Sequence, residues 1–154
     1  MAIFDAMLEF SDGQLLTGSA AASNVLDLQA ADLELGAGTP MYLNVKVGTA
    51  LTSSGSGATL TIALCNDADA TIDGSSTVVF QTDAIAEAAC TAGAYLVRMA
   101  LPVNFDKDWG ADSGQYLGVY YTVAVENFTA GAIDAWIDNG PQSGYNTQVT
   151  TSNI

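Results

Sequence analysis

Two groups of carboxylates mark where this chain could do chemistry. Asp67, Asp69 and Asp73 share a stretch with Gly74, and Asp106, Asp108 and Asp112 share another with Gly110 and Gly114. Carboxylates clustered in a loop are what a hard cation such as calcium binds. Neither group follows the EF-hand, which needs Gly at its sixth position and a bidentate Glu at its twelfth. Counting from Asp67 those positions hold Ile72 and Val78, and from Asp106 they hold Ala111 and Leu117. The plainer expectation is two solvated acidic loops and no cofactor, with Asp106, Asp108 and Asp112 kept as the weak cation candidates.

Catalytic arrangements find little support. Asp134 and Asp138 flank Trp136 on one candidate strand, which puts them on one face roughly 13 Å apart, too far for either glycosidase geometry. Glu126 is the cross-strand carboxylate left as a partner for them. The chain has no His, so His triads, His general bases and His-ligated zinc are excluded. Nucleophile elbow, P-loop and dinucleotide fingerprint are all missing, since Gly36 and Gly38 lack a strand-then-helix context. The expectation is a protein that is not an enzyme. Cys65 and Cys90 are too few for a disulfide framework and read as two small buried hydrophobes. Tyr42, Tyr116, Tyr120, Tyr121, Trp109 and Trp136 read either as sheet packing or as a carbohydrate platform. Tyr120 and Tyr121, being adjacent on a strand, must face opposite ways.

Charge narrows the partners further. Asp and Glu number 17 against 3 Lys and Arg, for a net charge of −14. A folded monomer of this mass exposes about 7,300 Å², so the surface carries the wrong sign for a phosphate backbone or an anionic membrane. Neither nucleic acid nor membrane is expected as a partner. Hydrophobic residues make up 49% and the mean hydropathy is +0.27, which argues against disorder and for one cored domain. The longest uncharged run, 47–66, is rich in Ser, Thr and Gly and unfit to span a bilayer. The acidic start MAIFDAMLEFSD does not read as a secretory signal.

The elements that must position these residues are strands. MYLNVKV (41–47) places Met41, Leu43, Val45 and Val47 on one face and Tyr42, Asn44 and Lys46 on the other; ATLTIAL (58–64) repeats the pattern. Further strands are expected at 77–82, 94–103, 116–125 and 132–138, with short ones near the N-terminus. TSSGSG (52–57) reads as a hairpin tip, and 81–90, with Asp83 as an N-cap candidate, as one short helix or turn. The fold class expected is all-β, a two-sheet antiparallel sandwich. Residues 1–40 read as an N-terminal arm or loop region packed on the sandwich, extended over 11–40 rather than forming core strands. Residues 41–138 form the sandwich core, and 139–154 a polar C-terminal tail.

The segments FSDGQLLTGSAAASNVLDL (10–28), GAGTPMYLNVKV (36–47), YLGVYYTV (116–123) and TAGAIDAWI (129–137) together resemble the capsid cement, or decoration, proteins of tailed bacteriophages, of the Bordetella-phage cement type. The resemblance implies a jelly-roll sandwich, made in the host cytoplasm, that sits on the outer surface of the virion capsid. It would bridge neighbouring major capsid proteins and pair with itself as a homodimer, with a trimer left open. The chain departs from the pattern at 66–76, at 104–114 and beyond 139. The segments expected to touch neighbours are the 11–40 arm and the tail, through Phe4, Leu8, Phe10, Leu15, Leu16, Leu33, Leu35, Tyr145 and Val149. For Phe4, Leu8 and Phe10, packing on their own sandwich is the equal alternative. The competing function is a carbohydrate-binding or adhesion module.

Overall fold

The computed structural model describes residues 6–28, 40–101 and 114–139. A short 3-10 turn (Ala6–Leu8) leads into β1 (Glu9–Leu15), followed by β2 (Ala20–Ala21), β3 (Leu26–Asp27), β4 (Tyr42–Ser53), β5 (Thr59–Asp67), β6 (Thr77–Gln81), β7 (Ile85–Ala86), β8 (Tyr95–Ala100), β9 (Tyr116–Ala124) and β10 (Phe128–Asp138). All pairings are antiparallel. The first sheet has the order β1-β10-β4-β8; the second runs β2-β9-β5-β6, with β3 on β9 and β7 on β5. With β2 and β3 taken as one interrupted strand and β7 as a continuation of β6, eight strands pair first with last and second with second-last. The third pairs with the sixth and the fourth with the fifth. That nested pairing is the jelly-roll winding, which periodicity alone leaves open.

Alternation places the core between the sheets. Leu43, Val45, Val47 and Leu51 of β4 face Leu60, Ile62 and Leu64 of β5 and Leu117, Val119 and Tyr121 of β9, while Ile133, Ala135 and Ile137 come from β10. All are buried. Tyr121 is fully enclosed and its neighbour Tyr120 only half-buried, as opposite facing requires. Cys65 and Cys90 are free, buried thiols.

Three local expectations need correction. TSSGSG is not a hairpin tip, because β4 and β5 lie in different sheets and this loop arches between them. Strands paired in a hairpin and strands facing across a sandwich show the same inward alternation, so the pattern does not separate them. The arch is held by Glu126, in the second crossover between β9 and β10: its carboxylate accepts from Gly55 N at 3.0 Å, Gly57 N at 2.7 Å and Ser53 Oγ at 3.0 Å. Asp83 caps no helix. The stretch after β6 is drawn onto the edge of β5 by Thr82 N to Ile62 O, Ile62 N to Thr82 Oγ1 and Glu87 N to Ala58 O. Only a 3-10 turn, Glu87–Ala89, remains, with Ala86 before it.

The third correction concerns the arm. Residues 9–28 supply three strands to the two sheets, as the expectation of short strands near the N-terminus has it, instead of the extended arm or loop read over 11–40. Their small residues pass as loop by composition, yet each strand completes a sheet edge and buries Phe10, Leu16, Ala22 and Leu26 in the sandwich.

Candidate functional site

The distinctive opening motif builds a clasp between the sheets. Ser11 Oγ donates to Gln14 Oε1 at 2.7 Å, so its lone pairs receive the Tyr121 hydroxyl at 2.9 Å. Gln14 then donates through Nε2 to Ala21 O at 2.8 Å and accepts from Ser23 N at 2.9 Å. Asn24 N donates to Phe10 O at 2.9 Å, and Gly13, at φ +55°, donates its N–H to Asp134 Oδ1 at 2.7 Å. Tyr121 belongs to the second sheet and Ser11 to the first, so the chain of bonds closes the sandwich at its N-terminal corner. Burial holds the Tyr121 phenol well above its ordinary pKa, which keeps it a donor at any working pH.

This clasp reassigns the expected contact residues. Phe10 is 1% exposed and Leu16 fully buried, both in the main core, and Leu8 is half-buried against it. Phe10 and Leu16 therefore spend their apolar surface on their own sandwich, because β1 is a strand of it. Leu15, one residue out of phase, is 76% exposed. Phe4, Leu33, Leu35, Tyr145 and Val149 lie outside the described residues.

The loop 66–76 is built as a cover over the second sheet. Ile72, 4% exposed, packs with Ala63 and Cys65 on that sheet's outer face, against Ala21, Val25 and Tyr120. Gly118 makes room beneath it: a Cβ there would meet Ile72 Cγ1 at 2.6 Å. Asp67 accepts from Asp69 N, and Asp73 from Ser75 N and Oγ. These bonds hold both carboxyls below the usual range, led at Asp67 by the Ser76 hydroxyl and at Asp73 by Ser75. Among the described residues no three metal-ligating side chains come together. Asp106, Asp108 and Asp112 lie outside them. Burial pushes the Cys65 thiol up to about 11, with Asp67 adding to it.

The outer face of the first sheet carries a different arrangement. On a flat register, residues paired across neighbouring strands share a face. Asn44 of β4 lies opposite Trp136 of β10 on one side and Arg98 of β8 on the other, and Lys46 lies opposite Tyr95 and Asp134. The Arg98 guanidinium stacks on the Tyr95 ring at 3.5 Å from its centroid, and Lys46 Nζ lies 5.9 Å from the same point. Tyr95 meets Trp136 edge-on at 6.3 Å. Asn44 is fully buried beneath this layer; its Nδ2 donates to Tyr42 O at 3.3 Å and its Oδ1 has no partner.

The six aromatics singled out by sequence do not form one platform. Tyr121 is in the core, Tyr120 packs under loop 66–76 on the second sheet, Trp136 sits on the first, and Trp109 lies outside the described residues. The cluster that does form, Trp136 with Tyr95, Arg98 and Lys46, was visible only in outline. The chain has three basic residues, and two of them fall at outward strand positions, but their convergence depends on β8 pairing with β4 across an intervening stretch of chain. Glu126, considered as a partner for Asp134, instead serves the crossover arch.

No helix among the described residues is long and apolar enough to cross a membrane. Among curated proteins none matches the chain. A family model, Bbp16, matches residues 10–137, from the second residue of β1 to the last but one of β10. The match takes in every strand of the sandwich and most of the 154 residues. The chain therefore belongs to the Bbp16 family, a family of Bordetella-phage proteins.

Proposed function

We propose that this protein is a structural, non-catalytic capsid cement protein, which binds the outside of a tailed-phage shell and bridges neighbouring major capsid proteins. The observation that carries the reading is the family match over the whole jelly roll. The architecture supports it in two ways. The β4–β5 and β9–β10 crossovers are tied together by Glu126, and the opening corner is clasped through Ser11, giving a stiff body that can transmit load between neighbours. The edge strand β6, TVVFQ, carries no charge, and Val78 on it is 50% exposed. Unprotected edges of this kind accept a further strand from a neighbour.

The effect on the shell follows from mass action. A protein that binds the assembled shell and not its dissociated subunits stabilises it by RT ln(1 + [L]/Kd), about 2.7 kcal/mol per site at a hundredfold excess over Kd. Repeated over many lattice sites, modest contacts suffice. The test is to add purified protein to expanded shells that lack it and to measure the temperature at which they open. The reading expects a saturable rise that follows site occupancy. Shells that neither bind the protein nor gain stability contradict it.

A further inference from the structure

The outer face of the first sheet divides its charges by strand. Lys46 and Arg98, two of the three basic residues in a chain of net charge −14, stand on the β4–β8 half. Glu9, Asp134 and Asp138 stand on the β1–β10 half. With 17 carboxylates in the chain, the simplest arrangement for a surface cation is an ion pair, yet among the described residues neither Lys46 nor Arg98 forms one. Both instead gather on the Tyr95 ring. Arg98 is exposed, and stacking presets its planar fork, so less freedom is lost when a carboxylate binds. Among the described strands β8 pairs only with β4, at one end of the first sheet.

We propose that this half of the sheet docks a carboxylate-bearing segment of the neighbouring capsid subunit, with Arg98 and Lys46 taking the carboxylate over the Tyr95–Trp136 floor. The inference rests on the cement reading and names its contact. Charge complementarity selects the occupant: the two cations attract an acidic segment, and the carboxylates on β1 and β10 repel it toward β8.

Binding of full-length protein to shells that lack it, measured across 50–300 mM salt, tests this. Arg98→Ala is expected to weaken binding about tenfold and to flatten its salt dependence. Arg98→Lys, which keeps the charge without the stacked fork, should fall between, and Lys46→Ala should cost a few-fold. Thermal melts of each variant separate loss of contact from loss of fold. If wild type binds and the Lys46→Ala/Arg98→Ala double variant binds equally well with the same salt slope, the docking face is wrong while the cement reading stands. If wild type does not bind at all, both fall together. Polygalacturonate provides the remaining arm: binding of this acidic glycan that depends on Arg98, with shell binding indifferent to it, overturns the capsid segment as occupant.

Discussion

Glu126 holds two backbone donors and shares the Ser53 hydroxyl with Glu87, and that decides how the protein responds to acid. The Gly57 and Gly55 N–H groups and the Ser53 hydroxyl hold its carboxyl below the ordinary value of 4.5. Asp67 and Asp73 are lowered in the same way by bonds within their loop. A carboxyl whose folded pKa lies below its unfolded one stabilises the fold fully above the unfolded value, and that contribution is lost as pH falls through the folded value. Glu9 works in reverse: partial burial, with Asp12 and then Asp134 nearby, raises it, so its contribution is present at low pH and lost as pH rises. Urea unfolding between pH 3 and 7 should therefore show Glu126→Gln less stable than wild type at neutral pH and with a shallower acid limb. Glu9→Gln should be more stable at pH 7. Little of this was legible in sequence, because a carboxylate in a turn looks the same whether it meets water, a metal or two glycine N–H groups. Tyr121 was half legible: period two set its facing, but its proton's path through Ser11 to Gln14 depends on a contact between residues 110 positions apart.

At the scale of elements, alternation located the long strands and missed what neighbouring chain decides. β4 and β10 run further toward the crossover end than 41–47 and 132–138, because the extra residues break phase at irregular register near Ala132. Gly131 explains the break. It adopts φ +131°, and a Cβ there would lie 2.4 Å from Leu51 Cδ2 and 2.7 Å from Leu51 Cα. Gly131→Ala is expected to cost about 2–4 kcal/mol, backbone strain and overpacking together. Gly118→Ala should cost less, about 1 kcal/mol, because Ile72 rides on a loop that can shift. Chemical denaturation of both checks the order; equal stability of Gly131→Ala and wild type would remove the close approach of β10 to β4 from the account. The short strands β2 and β3 were expected near the N-terminus but could not be placed within 11–40, because two-residue strands leave no period to detect and only their pairing with β9 defines them.

For the whole molecule, composition excluded more than it specified. A net charge of −14 sets the expectation against a nucleic-acid partner, and a chain without His has no His-based chemistry, while the strand pattern gave a sandwich without its winding order. The candidate surface was less legible than the fold, since Asn44, Tyr95, Arg98 and Trp136 come from three strands and meet only through sheet register. What the structure adds is a jelly roll, tied between its sheets by Ser11–Tyr121 and across two crossovers by Glu126, with one face whose cations are turned outward. The central claim is that this body occupies fixed lattice positions on a phage head. Cryo-electron microscopy of purified virions, with mass spectrometry of their proteins, tests it most directly. The account predicts ordered density for this sandwich outside the major capsid protein, repeated with the icosahedral lattice and contacting more than one capsid subunit. Virions that lack the chain, or that carry it only at the tail or inside the shell, would contradict it.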